Sequence, residues 1–331
     1  MRFLRGIHIF PREVIPFNKK KRTVFVMVGY LPEGLSRGVG LSTEGLLRAM
    51  ERGEIIEVDV TLCDHRYNLH ARVADGIYGI IPREECQHTE PGEYIKDIAI
   101  LTRVGKRVAV KITDVRFSGG VPFFTLSRRA AQAECMEEYI STLCPGDIIP
   151  ARVTHLEGFG AFVDIGCGIC SLLSIDSISV SRISHPSERI NVGDAIQIVV
   201  RGRDERGRIT VSMKELFGTW EENAALFSEG QTVRGIVRSI EGYGIFVELK
   251  PNLAGLAEFR EDVYVGDIAA VFIKSMIPEK MKVKLIIIDS QPGAPTVEPP
   301  GYFIDTDRVR RIERWQYSPT CAKKRIESVF G

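Results

Sequence analysis

The amino-acid sequence predicts a mainly β protein made of three tandem five-stranded Greek-key barrels joined by helices, the first barrel diverged from the other two. Three observations carry this expectation. Residues 158–165 read Gly-Phe-Gly-Ala-Phe-Val-Asp-Ile, and residues 242–249 read Gly-Tyr-Gly-Ile-Phe-Val-Glu-Leu, an offset of 84 residues. The same offset sets Pro145-Gly-Asp-Ile on Glu229-Gly-Gln-Thr and Val153 on Val237, so the shared register marks a tandem duplication. Each copy repeats one grammar: a Gly-containing turn, an alternating strand, a Gly-aromatic-Gly turn and a second strand. Between the copies lie stretches with helical spacing.

In chain order, residues 1–53 form a leader and a short helix. Residues 1–32 contain Pro11, Pro16 and a basic run from Lys19 to Arg22 without periodicity, which reads as a loosely attached leader. Met27 is a candidate true start. The apolar patch after the basic run is short and lacks a small-residue cleavage site, so a signal peptide is a weak reading. Over residues 42–52, Leu46, Leu47 and Met50 share one face and Gly53 supplies a stop, which predicts a helix.

Residues 54–143 are read as the diverged repeat plus a linker helix. About five strands are expected, from residues 55–62 and 69–73, the stretch 79–85 that follows, then 98–101, 104–112 and 123–127. Residues 69–73 contain no Phe or Tyr, so the aromatic pair of the later copies is missing there. Residues 128–143 predict a helix with Met136, Ile140 and Leu143 on one stripe, ended by Pro145. Residues 144–227 are the second repeat plus a linker helix over 213–227, with Leu216, Trp220 and Ala224 on its stripe. Residues 228–290 are a third repeat, shorter by 11: the Gly193-to-Gly266 offset is 73 rather than 84. Residues 291–331 are read as a Pro-rich linker and a basic tail bearing Trp315 and Tyr317.

Side chains alternate faces along a strand, which puts Phe162 and Asp164 on one side and Ala161 and Val163 on the other. A turn aromatic and a strand aromatic then make a small plate of rings on a sheet surface. Five short strands, Gly-rich turns and such a plate describe a barrel of OB type. Burial is the ordinary fate of a strand Phe, and Phe162 and Phe246 stand evenly between the two. Phe159 and Tyr243, flanked by glycines in turns, are harder to bury and are expected to be exposed.

The sequence here resembles the RNA-binding domain family named after bacterial small-subunit ribosomal protein S1. The residues that carry the resemblance include Pro145-Gly-Asp, the 158–164 motif, Arg182-Ile-Ser-His-Pro, Val192-Gly-Asp and residues 207–214, Gly-Arg-Ile-Thr-Val-Ser-Met-Lys. It covers roughly residues 54–289 and is most specific in the second repeat. The resemblance implies an RNA face of two aromatics, a histidine, an aspartate and an arginine. It assigns these to Phe159, Phe162, Ser174 (where the family has His), Asp204 and Arg208. In the third repeat it assigns Tyr243 and Phe246, puts Glu258 at the histidine position and Lys282 at the arginine position. It further implies that the first repeat contacts protein, anchoring the chain to the small ribosomal subunit. Independently of the family, Lys274, Lys280, Lys282 and Lys284 cluster in the third repeat, as Arg201, Arg203, Arg206, Arg208 and Lys214 do in the second. Rings for stacking beside cations for phosphates are what single-strand binding needs, although a solvated face is the plain alternative for such clusters.

Composition narrows the remaining classes. The chain has 331 residues, 44% hydrophobic and 26% charged, with ample core for several domains. Its net charge is +1, so nucleic-acid affinity must come from local faces. Seven cysteines, irregularly spaced, suit a reducing compartment, and the expected location is the cytoplasm, with no membrane partner. Cys167 and Cys170 have zinc-knuckle spacing without a second ligand pair, so neither metal nor cofactor is expected. The histidines show no ligand spacing; His185 before Pro186 suits a turn. No phosphate loop or dinucleotide loop is present, and the chain is read as a non-enzyme. The expectation is therefore a protein that binds single-stranded mRNA in translation on the small ribosomal subunit. The alternatives are an RNA-delivering accessory subunit of an RNA-processing or decay complex, and a protein-only adaptor of OB repeats.

Overall fold

A computed structural model describes residues 30–36, 42–89, 92–293 and 301–330. The basic run at 19–22, Met27 and most of the Pro-rich stretch lie outside the described residues. Three closed barrels follow one another. The first is built from β1 (Ile55–Cys63), β2 (Leu69–Ala74), β3 (Ile77–Ile81), β4 (Arg107–Ser118) and β5 (Val121–Ser127). The second uses β6 (Ile148–Glu157), β7 (Gly160–Asp164), β8 (Cys170–Ser174), β9 (Ala195–Arg203) and β10 (Ile209–Ser212). The third uses β11 (Thr232–Glu241), β12 (Gly244–Lys250), β13 (Leu253–Ala257), β14 (Ile268–Ile277) and β15 (Lys282–Gln291). In each, the strands close in the order first, second, third, fifth, fourth, and the third and fifth run parallel. This is the OB-type Greek-key topology, with each first strand kinked by a bulge where it meets the second.

Alternation fixes the inside of each barrel. Leu69 and Ala71, Ala161 and Val163, and Ile245 and Val247 are buried, while His70, Phe162 and Phe246 lie between them on the outer face. Helix α1 (Thr43–Arg52) forms as its pattern predicts: the Ser42 side chain accepts the Gly45 amide, and Gly53 ends the helix at φ +62°. Its Leu46 joins the first barrel's core.

Several elements depart from the sequence expectation. Residues 98–101 are helical rather than a strand, in α2 (Asp97–Leu101), whose Ile100 plugs the first barrel. A four-residue apolar run carries no period long enough to separate the two. The linker over 128–143 is α3 (Arg128–Glu134) continued by one π turn and a 3-10 turn. The expected helix at 213–227 breaks at Gly218, φ +79°, into a 3-10 turn and the short α4 (Trp220–Ala224). Thr219 caps α4 and Glu222 reaches back, a capping box that starts the helix afresh. His185 likewise caps the 3-10 turn Pro186–Glu188.

Residues 301–330 are not a free tail. They carry β16 (Arg314–Gln316) and β17 (Glu327–Val329) and pack across the second and third barrels. Trp315, Tyr317 and Phe330 are buried in one cluster with Ile148 and Val199 of the second barrel and Val237 and Val271 of the third. The Trp220 amide donates to the Tyr317 carbonyl at 3.0 Å, and the Tyr317 hydroxyl to the Asn252 carbonyl at 2.7 Å. Composition suggested a tail because the Lys and Arg residues are exposed; the aromatics between them do the packing.

The segment at 30–34 straps the first two barrels together. Tyr30 stacks on Tyr139 at 5.9 Å. Glu33 takes a bidentate pair from buried Arg128, at 2.7 and 3.2 Å, and its amide donates to Asp164 at 2.7 Å. Asp164 is therefore covered by the strap rather than open to solvent beside Phe162. It ends β7 and is buried, also accepting the amides of Gly166 and Gly168.

Candidate nucleic-acid interface

The plate in the second barrel is set by backbone geometry. β6 and β7 meet in a two-residue turn, Gly158-Phe159. Gly160 follows it, where a Cβ would sit 2.4 Å from the Leu173 carbonyl oxygen, so the strand can close against β8 only with glycine there. The turn pushes Phe159 outward, 56% exposed. Phe162, half-buried on β7, meets it edge to face, with centroids 6.2 Å apart and planes at 90°. Such pairs are worth about 0.5–1.5 kcal/mol beyond their buried area and hold each other's orientation.

The third barrel reproduces the arrangement. Tyr243 is 71% exposed and meets Phe246 at 6.1 Å and 90°. Gly244 is under the same constraint, 2.4 Å from the Ala257 carbonyl oxygen. Two copies of one ring geometry rest on two copies of one turn.

Around these rings the assigned polar residues fall as follows. Ser174 pairs with Gly160 across β7 and β8, at the foot of the Phe159 turn, and is half-buried. Arg208 is exposed and lies just before β10; its guanidinium takes a two-point grip on Asp204, with Nε and Nη2 each at 2.8 Å. Asp204 also accepts the amides of Arg206 and Arg208. Those backbone bonds, then the guanidinium, hold its carboxyl below the usual range. Asp204 thus orients Arg208 and the turn. In the third barrel Lys282 opens β15, and Lys284 lies beside Leu256, which pairs with Phe246. Both lysines are exposed, and Glu258 follows β13, also exposed. Two of the second barrel's arginines are bound to the protein itself. Arg203 donates to the Ile140 and Gly207 carbonyls and Arg201 to the Ser177 hydroxyl.

Two aromatic residues escaped the sequence reading. His155 on β6 pairs with Phe162 across the hairpin and stacks on it at 6.5 Å and 26°, adding a third ring to the plate. Alternation along β6 could have located it only with knowledge of the bulge between Val153 and His155. In the first barrel Tyr67 ends the turn between β1 and β2, where Phe159 stands in the second. Its ring is half-buried, with the Arg83 guanidinium 4.7 Å from its centroid. The first repeat thus has a turn ring after all, but a covered one, and half-buried His70 takes the strand position.

The cysteine pair at 167 and 170 is split: Cys167 is buried and Cys170 exposed. A hydrogen bond with Cys135, then burial, pushes the Cys167 thiol up, away from the thiolate a metal requires.

Residues 143–214 match the S1 RNA binding domain. Small ribosomal subunit protein bS1 of Rhizobium meliloti (strain 1021) is 30% identical over 189 residues, 56% of this chain and 32% of that protein. The bS1 protein of Leuconostoc lactis is 31% identical over 177 residues, 51% of this chain and 40% of that one. That of Staphylococcus saprophyticus subsp. saprophyticus is 33% identical over 142 residues, 41% and 36% of the two chains. The chain spans about a third to two fifths of the length of these relatives. In sequence, with the domain match falling on the second barrel, the chain resembles the S1 ribosomal protein family.

Proposed function

We propose that this chain binds single-stranded RNA without catalysing a reaction on it, and that it acts on mRNA in translation, beside the small ribosomal subunit in the cytoplasm. The observation that carries the reading is the duplicated ring geometry. Exposed Phe159 and Tyr243 each meet a half-buried Phe edge to face, at 6.2 and 6.1 Å, and each barrel adds an exposed cation at the start of its fifth strand, Arg208 just before β10 and Lys282 opening β15. Keeping a ring's apolar face in water costs free energy that a stacked base recovers, and bases offer flat faces irrespective of sequence. The edge-to-face partner leaves the outer face of the turn ring open to a base. Arg208 and Lys282 are within the same barrels' outer surface and are suited to the phosphates that follow.

The resemblance to bS1 proteins supports the translational setting, and the covered Tyr67 supports a first barrel that contributes less stacking than the other two. Filter binding with poly(U) tests the reading: the chain should retain the polymer at low salt, and Phe159→Ala should weaken retention. A chain that retains no RNA at low salt, yet sediments with ribosomal proteins, would instead be a protein-only adaptor.

A further inference from the structure

A cavity of about 680 Å³ lies between the first and second barrels, roofed by the 30–34 strap. Its walls are the loop before β4, the middle of β6 and the loop before β9. Four cations line it: Arg103, Lys106, Arg107 and Arg152. Three carboxylates are present too, and each is already committed to the protein. Glu33 is gripped by Arg128, Asp59 accepts from Arg72 and Arg107 at 2.9 and 3.2 Å, and Asp164 accepts three backbone amides. Arg107 is matched by Asp59, but the other three cations are not fully matched in return. Arg152 donates to the carbonyls of Glu33 and Gly193. Arg103 stands 3.7 Å from the shared Glu33, and its buried Nε has no hydrogen-bond partner among the described residues. Lys106 is exposed at the rim and makes no ion pair among the described residues. Partial desolvation, then neighbouring Arg128 for Arg103 and Arg103 for Lys106, pushes both groups down.

His155 belongs to two places at once. It lines this cavity and it stacks on Phe162 in the ring plate. The cavity therefore opens onto the edge of the proposed RNA face. We propose that it is a phosphate channel: a single strand seated on Phe159 and Phe162 continues past His155 and lays its phosphodiester groups between the barrels, against Lys106, Arg103 and Arg152. The channel rests on the RNA-binding function proposed above, and it extends the bound strand toward the first barrel. Its role is electrostatic and indifferent to sequence, since phosphates carry no base information.

The test compares two RNA lengths on the full chain, by fluorescence anisotropy over a salt series. A short oligouridine of about four nucleotides covers the plate alone, and one of about twenty-five exceeds the roughly 4–16 nucleotides that a single barrel of this type holds. Lys106→Glu reverses the rim charge, and Val192→Glu adds a carboxylate at a position that lines the cavity and is 59% exposed. Both variants should weaken the long RNA about threefold to tenfold, and Lys106→Glu should also reduce its salt slope by about 0.7, the loss of one single-strand phosphate contact. Both should leave the short RNA unchanged, whereas Phe159→Ala should weaken both lengths. If neither charge variant alters the long RNA while Phe159→Ala weakens it, the channel is wrong and the ring face stands. If Phe159→Ala has no effect but the charge variants weaken the long RNA, the channel stands and the ring face is wrong.

Discussion

Phe159 and Ile209 lie in the same barrel and should respond to truncation in opposite ways. Phe159 is 56% exposed, so Phe159→Ala should cost single-stranded RNA binding about 1–3 kcal/mol and leave the melting temperature nearly unchanged. Ile209 is buried in the second barrel's core, so Ile209→Ala should cost about 2–4 kcal/mol of folding while the remaining folded protein binds RNA normally. Titration calorimetry and thermal melts of the two variants check this crossing pattern. Arg208→Ala should lower affinity and reduce the salt slope by about 0.7, because a phosphate contact is lost, whereas Phe159→Ala should leave the slope alone. At this scale the exposed ring positions were legible, because a glycine-flanked aromatic in a tight turn has nowhere to be buried. His155 was not, since a bulge shifts the alternation that would place it. Nor was Asp164, whose burial depends on a strap more than a hundred residues away in sequence.

Among the elements, that strap carries a pH dependence. Burial, then the nearby Glu33 carboxylate, raises the Asp164 carboxyl to about 7. Between its ordinary value near 4 and that raised value, the folded chain holds a proton that the unfolded chain releases. This residue's contribution therefore makes the folded state less stable as pH rises through that window, and the effect levels off above it. Melts from pH 4 to 8 should show the wild type losing stability relative to Asp164→Asn across the window. Parallel curves for the two proteins would show that Asp164 titrates normally. The strand grammar and α1 were legible because period and caps agree. The stretch at 98–101 and the helix broken at Gly218 were not, since four apolar residues fit either period and a glycine inside a helical stripe leaves the stop undecided.

For the molecule as a whole, the second and third barrels are joined by side chains from three segments. Arg189 and Arg238 both grip the buried Glu248, and Arg238 also grips Glu188. Glu248→Ala should cost about 3–5 kcal/mol by leaving two guanidinium groups without their buried partner. Removal of residues 301–331 should lower the melting temperature as well, because Trp315, Tyr317 and Phe330 leave the shared cluster. Calorimetry of both variants tests whether the pair of barrels melts as one unit. The tandem repeat made three barrels legible from sequence. Their mutual packing was not legible, since it depends on strap and C-terminal contacts that no local period encodes.

The central claim is that the two ring pairs hold single-stranded RNA, and the Phe159→Ala/Tyr243→Ala double variant tests it most directly. Anisotropy with a labelled oligouridine should show affinity falling by about 2 kcal/mol or more, with the salt slope and the melting temperature close to those of the wild type. Unchanged RNA affinity together with a melting temperature lowered as by a core truncation would contradict the claim and make both plates packing motifs.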